Sequence, residues 1–192
     1  MAMEIPQLLL SGGIGRVPRY HAPVLDALVG DSKFIDADDE WKKLSARLRK
    51  YSGVAEEPLP KGLVAELRPY QRQGYDWLAF LRDFGIHGIL ADDMGLGKTL
   101  QALTWLLAEH KGNLVGEGDG GPSAPRAENP SLVVCPTSVA SNWVAEAAKF
   151  TPGLKVVKLT GANREKLYDN LKNADLVITT YAILRLDLAR LQ

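Results

Sequence analysis

Residues 92–99 read Asp-Asp-Met-Gly-Leu-Gly-Lys-Thr, between the apolar run "GILA" and the helix-like run "LQALTWLL". A glycine-rich turn opening a helix presents backbone N–H groups and the positive end of the helix dipole, a combination suited to an anion. Gly95 and Gly97 leave no side chain where a backbone must approach phosphate oxygens. Lys98 adds a point charge at the β- and γ-phosphates and is the catalytic candidate. Thr99 offers a hydroxyl to Mg²⁺. Asp92, Asp93, Met94 and Leu96 complete the loop. The general phosphate-loop pattern carries glycine where this chain has Asp92. Two acids beside a triphosphate are expected to point away from it, or towards Mg²⁺ or basic groups.

The elements that position this loop alternate. "LRPYQRQGYDWLAFLRDFG" predicts a helix with Pro69 in its first turn. "IHGILAD" (86–92) predicts a short strand, "KTLQALTWLLAEH" a helix, "SLVVC" a strand, and "SVASNWVAEAAKF" a helix stopped by Pro152 and Gly153. "LKVVKL", "NREKLYDNLKN", "DLVITT" and "YAILRLDLARL" continue as strand, helix, strand and helix. This order predicts an α/β fold with a mostly parallel sheet and right-handed crossovers. Residues 112–131 are rich in Gly, Pro and Ser and read as a flexible loop.

Residues 1–60 form an accessory segment. "DADDEWKKLSARLRKYSG" is acidic at its start and basic at its end, with Trp41, Leu44, Leu48 and Tyr51 on one face, and so predicts an amphipathic helix. "EEPLPKG" (56–62) reads as a linker, and "SGGIG" (11–15) as a turn rather than a second phosphate loop, since no helix signal follows it.

Bulk properties set bounds. Basic and acidic residues each number 23, which argues against a polybasic nucleic-acid module but allows a local basic groove. Cys135 is the single cysteine, so no intrachain disulfide forms, as in a reducing cytoplasm. No basic leader precedes "QLLL", and no run approaches the roughly 18 apolar residues of a membrane span. His21, His87 and His110 show no metal-ligand spacing.

"ADDMGLGKT" preceded by "LRPYQRQGYDWL" resembles the first two motifs of the Swi/Snf-type ATPases, double-stranded-DNA translocases of the second helicase superfamily. "LVVCPTSVASNWVAEAAKF" (132–150) and "DLVITTYAILRLD" (175–187) resemble the next two, and the likeness covers residues 63–192 in order. It implies an incomplete first RecA-like lobe over 63–192, binding ATP with Mg²⁺. It implies that Gln71 pairs with adenine through both ends of its amide, with Arg68 and Tyr70 shaping that pocket. It implies DNA-phosphate contacts by Pro136, Thr137 and Ser138 and by Thr180 and Tyr181, each at a strand end. Simple helix capping is the alternative at both places. Trp143 reads as core packing. Lys155, Lys158, Lys166 and Lys172 read as a solvated face. The leading segment resembles that of bacterial members, which would place the protein in the cytoplasm at the nucleoid.

The family's acidic strand-end motif, which holds Mg²⁺ and activates water, is expected soon after the last helix, and the chain reaches Gln192 without it. The second lobe and its arginine fingers are not in the sequence either. The expectation is therefore the front part of a larger motor, inactive by itself, with a sheet that keeps an unpaired edge. A non-catalytic module that binds nucleotide, DNA or a partner is the alternative. An unrelated phosphate-loop kinase is the third reading.

Overall fold

A computed structural model of the protein describes residues 53–111 and 129–191. The chain divides into two units, Met1–Gly53 with Arg82–His87, and Val54–Leu81 with Gly88–Gln192. All the described strands fall in the second unit. The amphipathic helix expected over 36–52, the "SGGIG" turn and most of the loop expected over 112–131 lie outside the described residues.

Five helical and three strand segments are described. They are α1 (Pro69–Phe84), α2 (Lys98–Lys111), β1 (Ser131–Cys135), α3 (Thr137–Phe150), β2 (Val156–Leu159), a 3₁₀ segment (Ala162–Asn173), β3 (Leu176–Thr180) and α4 (Tyr181–Leu191). Among the described residues the sheet is parallel, in the order β1-β3-β2, with Val133 and Lys158 both opposite Ile178. Parallel neighbours need a crossover, and α3 and the 3₁₀ segment lie between the strands in sequence.

β3 is central, and all five of its residues are buried. That burial suits the apolar Leu176, Val177 and Ile178 and forces the two threonines after them to find partners. The Thr179 hydroxyl donates to the Leu159 carbonyl at 2.9 Å, and the Thr180 hydroxyl accepts from the Ile183 N–H at 3.4 Å. Leu103, Leu106 and Leu107 of α2 pack with Ala140 and Ala147 of α3 and with Leu176 and Ile178 into the main core, with Trp143 against it. Trp143 is thus a packing residue, as the sequence suggests.

Three expectations change. Residues 86–92 form no strand, because an extended segment becomes one only beside a ladder partner, and among the described residues β1 pairs on one side only, with β3. Ile89 is 87% exposed accordingly. The helix expected over "NREKLYDNLKN" winds as a 3₁₀ segment. α4 carries a kink at Asp187, with φ −112° and ψ 16°. The Arg164 guanidinium and the Tyr168 hydroxyl both donate to the Asp187 carboxylate there, the latter at 2.6 Å. These donors, Arg164 first, hold the carboxyl far below the usual range.

Part of the segment read as a linker is bonded to α1. The Tyr75 hydroxyl donates to the Pro58 carbonyl and the Glu57 N–H to the Asp76 carboxylate, both at 2.9 Å. Arg72 donates to the Glu57 carbonyl and, at 3.1 Å, to Asp76.

At the opposite end of the strands from the loops, Asp175 ties four elements. Its carboxylate accepts from the Lys111 ammonium and from the Lys155 N–H, each at 2.7 Å, while its carbonyl accepts from the Ser131 N–H at 2.9 Å. The buried His110 ring meets the Ser131 hydroxyl at 2.9 Å. Burial alone would push the Asp175 carboxyl up. The Lys111 ammonium and then the Lys155 N–H outweigh burial and hold it below its ordinary 3.8. A depressed carboxyl contributes stability above the unfolded value and loses it as pH falls through the folded value. Asp175→Asn should therefore cost about 2 kcal/mol near neutrality. In urea melts across pH, the gap to the unsubstituted chain should close as pH falls below about 4. A gap unchanged at low pH would contradict the assignment.

Candidate functional site

The loop 92–97 runs from the extended segment into α2, and its shape rests on two glycines. Gly95 has φ +85° and Gly97 φ +78°, a region that costs other residues roughly 1–2 kcal/mol. Open space surrounds the Cβ position of Gly95, whereas a Cβ on Gly97 would lie 2.5 Å from the Gln71 amide nitrogen. Met94 at the loop tip is 96% exposed.

Gln71 is 7% exposed and is used twice within the fold. It is the third residue of α1, and its Oε1 accepts from the Arg68 N–H at 3.0 Å, as a glutamine does when it reaches back to cap its own helix. Its Nε2 donates to the Leu96 carbonyl at 3.0 Å and so ties α1 to the loop. An amide has two donors and two acceptor lone pairs, so each end keeps one valence after these bonds.

Lys98, the first residue of α2, spans the loop and donates to the carbonyls of Asp92 at 2.7 Å and Asp93 at 2.8 Å. Asp93 is exposed. The Asp92 carboxylate accepts from the buried Gln101 amide at 3.1 Å, so it is held by a neutral donor. The structure thus brings Arg68, Gln71, Leu96, Gly97, Lys98 and Asp92 together. Tyr70 is half-buried beside Gln71 on α1, and Thr99 is half-buried in the first turn of α2.

The strand-end residues lie at two helix starts of different character. Pro136 caps α3 without a side-chain hydrogen bond, and Thr137 and Ser138 are exposed. Thr180 caps α4 with its own hydroxyl, and Tyr181 is exposed. Lys158 donates to Ser141 at 2.9 Å. Among the described residues no cluster of His, Cys, Asp and Glu could hold a metal ion. Sequence reading missed Gln101 and Gly74. The signal was available: Gln101 is an amide inside the apolar run "LQALTWLL".

A parallel α/β sheet with a glycine-lysine loop opening a helix defines a lobe of the RecA-like type. Comparison with known proteins is more specific. The pattern of the SNF2-related domain matches residues 70–192, and the chain belongs to that family. It is 40% identical over 152 residues to the TATA-binding protein-associated factor mot1 of Aspergillus fumigatus, covering 78% of this chain and 8% of that protein. It is 36% identical over 177 residues to the putative ATP-dependent helicase/translocase YwqA of Bacillus subtilis, covering 84% of this chain and 18% of that one. The Sulfolobus solfataricus SWI2/SNF2 ATPase core, solved in complex with dsDNA, is similar at 38% identity and TM-score 0.55, over 69% of this chain and 24% of that one. The chain spans less than a fifth of the length of these curated relatives. They come from fungi, a bacterium, a plant and human, and single out no bacterial source. Family membership removes the reading as an unrelated kinase. Among the described residues no helix is long and apolar enough to cross a membrane.

Proposed function

We propose that this chain is the nucleotide-gripping front part of an ATP-dependent double-stranded-DNA translocase, working in a cytoplasmic or DNA-associated compartment. One observation carries the reading: Lys98 reaches across a loop whose two glycines sit at positive φ where it enters α2. Those residues fit a triphosphate. The N–H groups of 95–99 and the Lys98 ammonium would hold its phosphates, and the Thr99 hydroxyl would hold Mg²⁺. Bound Mg²⁺-ATP supplies the free energy that the whole motor converts to movement. The remaining valences of the Gln71 amide suit the N6 donor and N7 acceptor of adenine, with Arg68 and Tyr70 beside it. The uncapped start of α3, with Thr137 and Ser138 exposed after Pro136, suits a DNA phosphate. Thr180 and Tyr181 present a second such position, where the Thr180 hydroxyl is already engaged as a cap. Within the motor this chain's part is binding, and turnover belongs to the larger protein. A stand-alone binding module would share every one of these contacts.

Titration of a fluorescent ATP analogue into the purified chain with Mg²⁺ should saturate, and chelating the Mg²⁺ should weaken it. A folded chain that shows no saturable binding would overturn the proposal. Duplex DNA should bind weakly, and its affinity should fall with salt as few phosphates are neutralised. Tight binding indifferent to salt would contradict the DNA contacts.

A further inference from the structure

Gln101 is fully buried in α2, between Leu100 and Leu103. Its Nε2 donates to the Asp92 carboxylate at 3.1 Å. Its Oε1 is buried with no hydrogen-bond partner and faces Gly74 of α1, where a Cβ would lie only 1.7 Å from it. The orientation is dictated. A carboxylate accepts only, so the amide nitrogen must face Asp92 and the oxygen is left against Gly74. An unpartnered buried carbonyl is a cost, and the other end of the same side chain must justify it.

That other end acts on the loop. Asp92 stands where the general phosphate-loop pattern has no side chain, and its own carbonyl accepts from Lys98 at 2.7 Å. Gln101 therefore fixes the side chain of a residue whose main chain orients the lysine. Released, that carboxylate would bring negative charge to the edge of a triphosphate site. We infer that Gln101 is a positioning residue for the phosphate loop, which holds the Asp92 carboxylate aside so that the loop accepts a triphosphate. Gly74 supplies the space in α1 that lets Gln101 do so. This role rests on the proposed nucleotide site and names a device inside it.

The test has two arms on the full chain. The first needs no nucleotide: a double-mutant cycle of Gln101→Met and Asp92→Ala in urea melts. Methionine keeps the volume of glutamine and removes the amide, so the variant should fold. Non-additive losses are expected, and strict additivity would overturn the proposal, because the two side chains would then not interact. The second arm titrates the fluorescent ATP analogue and its diphosphate counterpart. Gln101→Met should weaken the triphosphate about tenfold and the diphosphate less. Adding Asp92→Ala to Gln101→Met should bring triphosphate affinity back up, which a purely structural loss would not show. Gly74→Ala, which pushes Gln101 off its place, should reproduce the selective weakening. A double variant as weak as Gln101→Met alone would overturn the inference. If the unsubstituted chain binds no nucleotide, the proposed function fails, and the stability cycle still decides whether Gln101 holds Asp92.

Discussion

Lys98→Ala should lower affinity for the ATP analogue by about a hundredfold or more, a loss of roughly 2.7 kcal/mol or greater. The size follows from what is removed. The ammonium lies across the loop, held by the carbonyls of Asp92 and Asp93. A charge-assisted bond to phosphate is about twice as strong as a neutral one, and the phosphates here would lose it together with the field of the charge. The unliganded chain should hardly notice. Lys98 lies outside the main core, its two bonds are to carbonyls at the rim of the loop, and water replaces it there. Chemical denaturation should therefore shift by about 1 kcal/mol or less. Lys98→Arg keeps the charge, but its planar fork cannot converge on two adjacent carbonyls as an ammonium does, so it should recover only part of the affinity. Affinity unchanged in Lys98→Ala with a normal melt would show that residues 92–99 do not hold phosphate.

The loop's shape, most of the order of the elements and the family were legible from sequence because they rest on local chemistry. Gly95, Gly97, Lys98 and Thr99 announce themselves by type and spacing. "SLVVC" is a strand with the bounds read from it. What sequence hid were tertiary decisions. The segment 86–92 has the composition of a strand, yet a strand is defined by its neighbour, and among the described residues β1 is bonded only to β3. Glu57 and Pro58 read as linker because proline and acid favour exposed chain. Arg72, Tyr75 and Asp76 are spaced along α1 to meet their backbone, which no local rule reveals. Asp187 sits in a pattern that reads as unbroken helix, and the kink there accompanies bonds from Arg164 and Tyr168, some twenty residues earlier. The role of Gln71 lies between these cases. Its capping of α1 follows from its place as the third helical residue, while its bond to Leu96 spans 25 positions and needed the fold.

The two loop glycines look equivalent in sequence, and the structure separates them. Gly97→Ala should weaken ATP by about a hundredfold, and Gly95→Ala by about tenfold or less. Both positions have positive φ, so both alanines incur the same backbone strain of roughly 1–2 kcal/mol. Only at residue 97 does the new methyl meet something, the Gln71 amide nitrogen at 2.5 Å. Gln71 must then swing out, which breaks its bond to the Leu96 carbonyl and frees the loop from α1. The contrast between the two alanines thus measures the worth of that tie. Since the displaced Gln71 has already lost its tie, adding Gln71→Ala to Gly97→Ala should cost little further affinity. The choice of ligand separates two roles for Gln71. If Gln71 reads adenine, its displacement should hurt ATP more than inorganic triphosphate, which has no base. Equal losses for the two ligands would make Gln71 a clasp between α1 and the loop and nothing more. Unequal losses would show one amide serving both the loop and the base, which its two remaining valences allow.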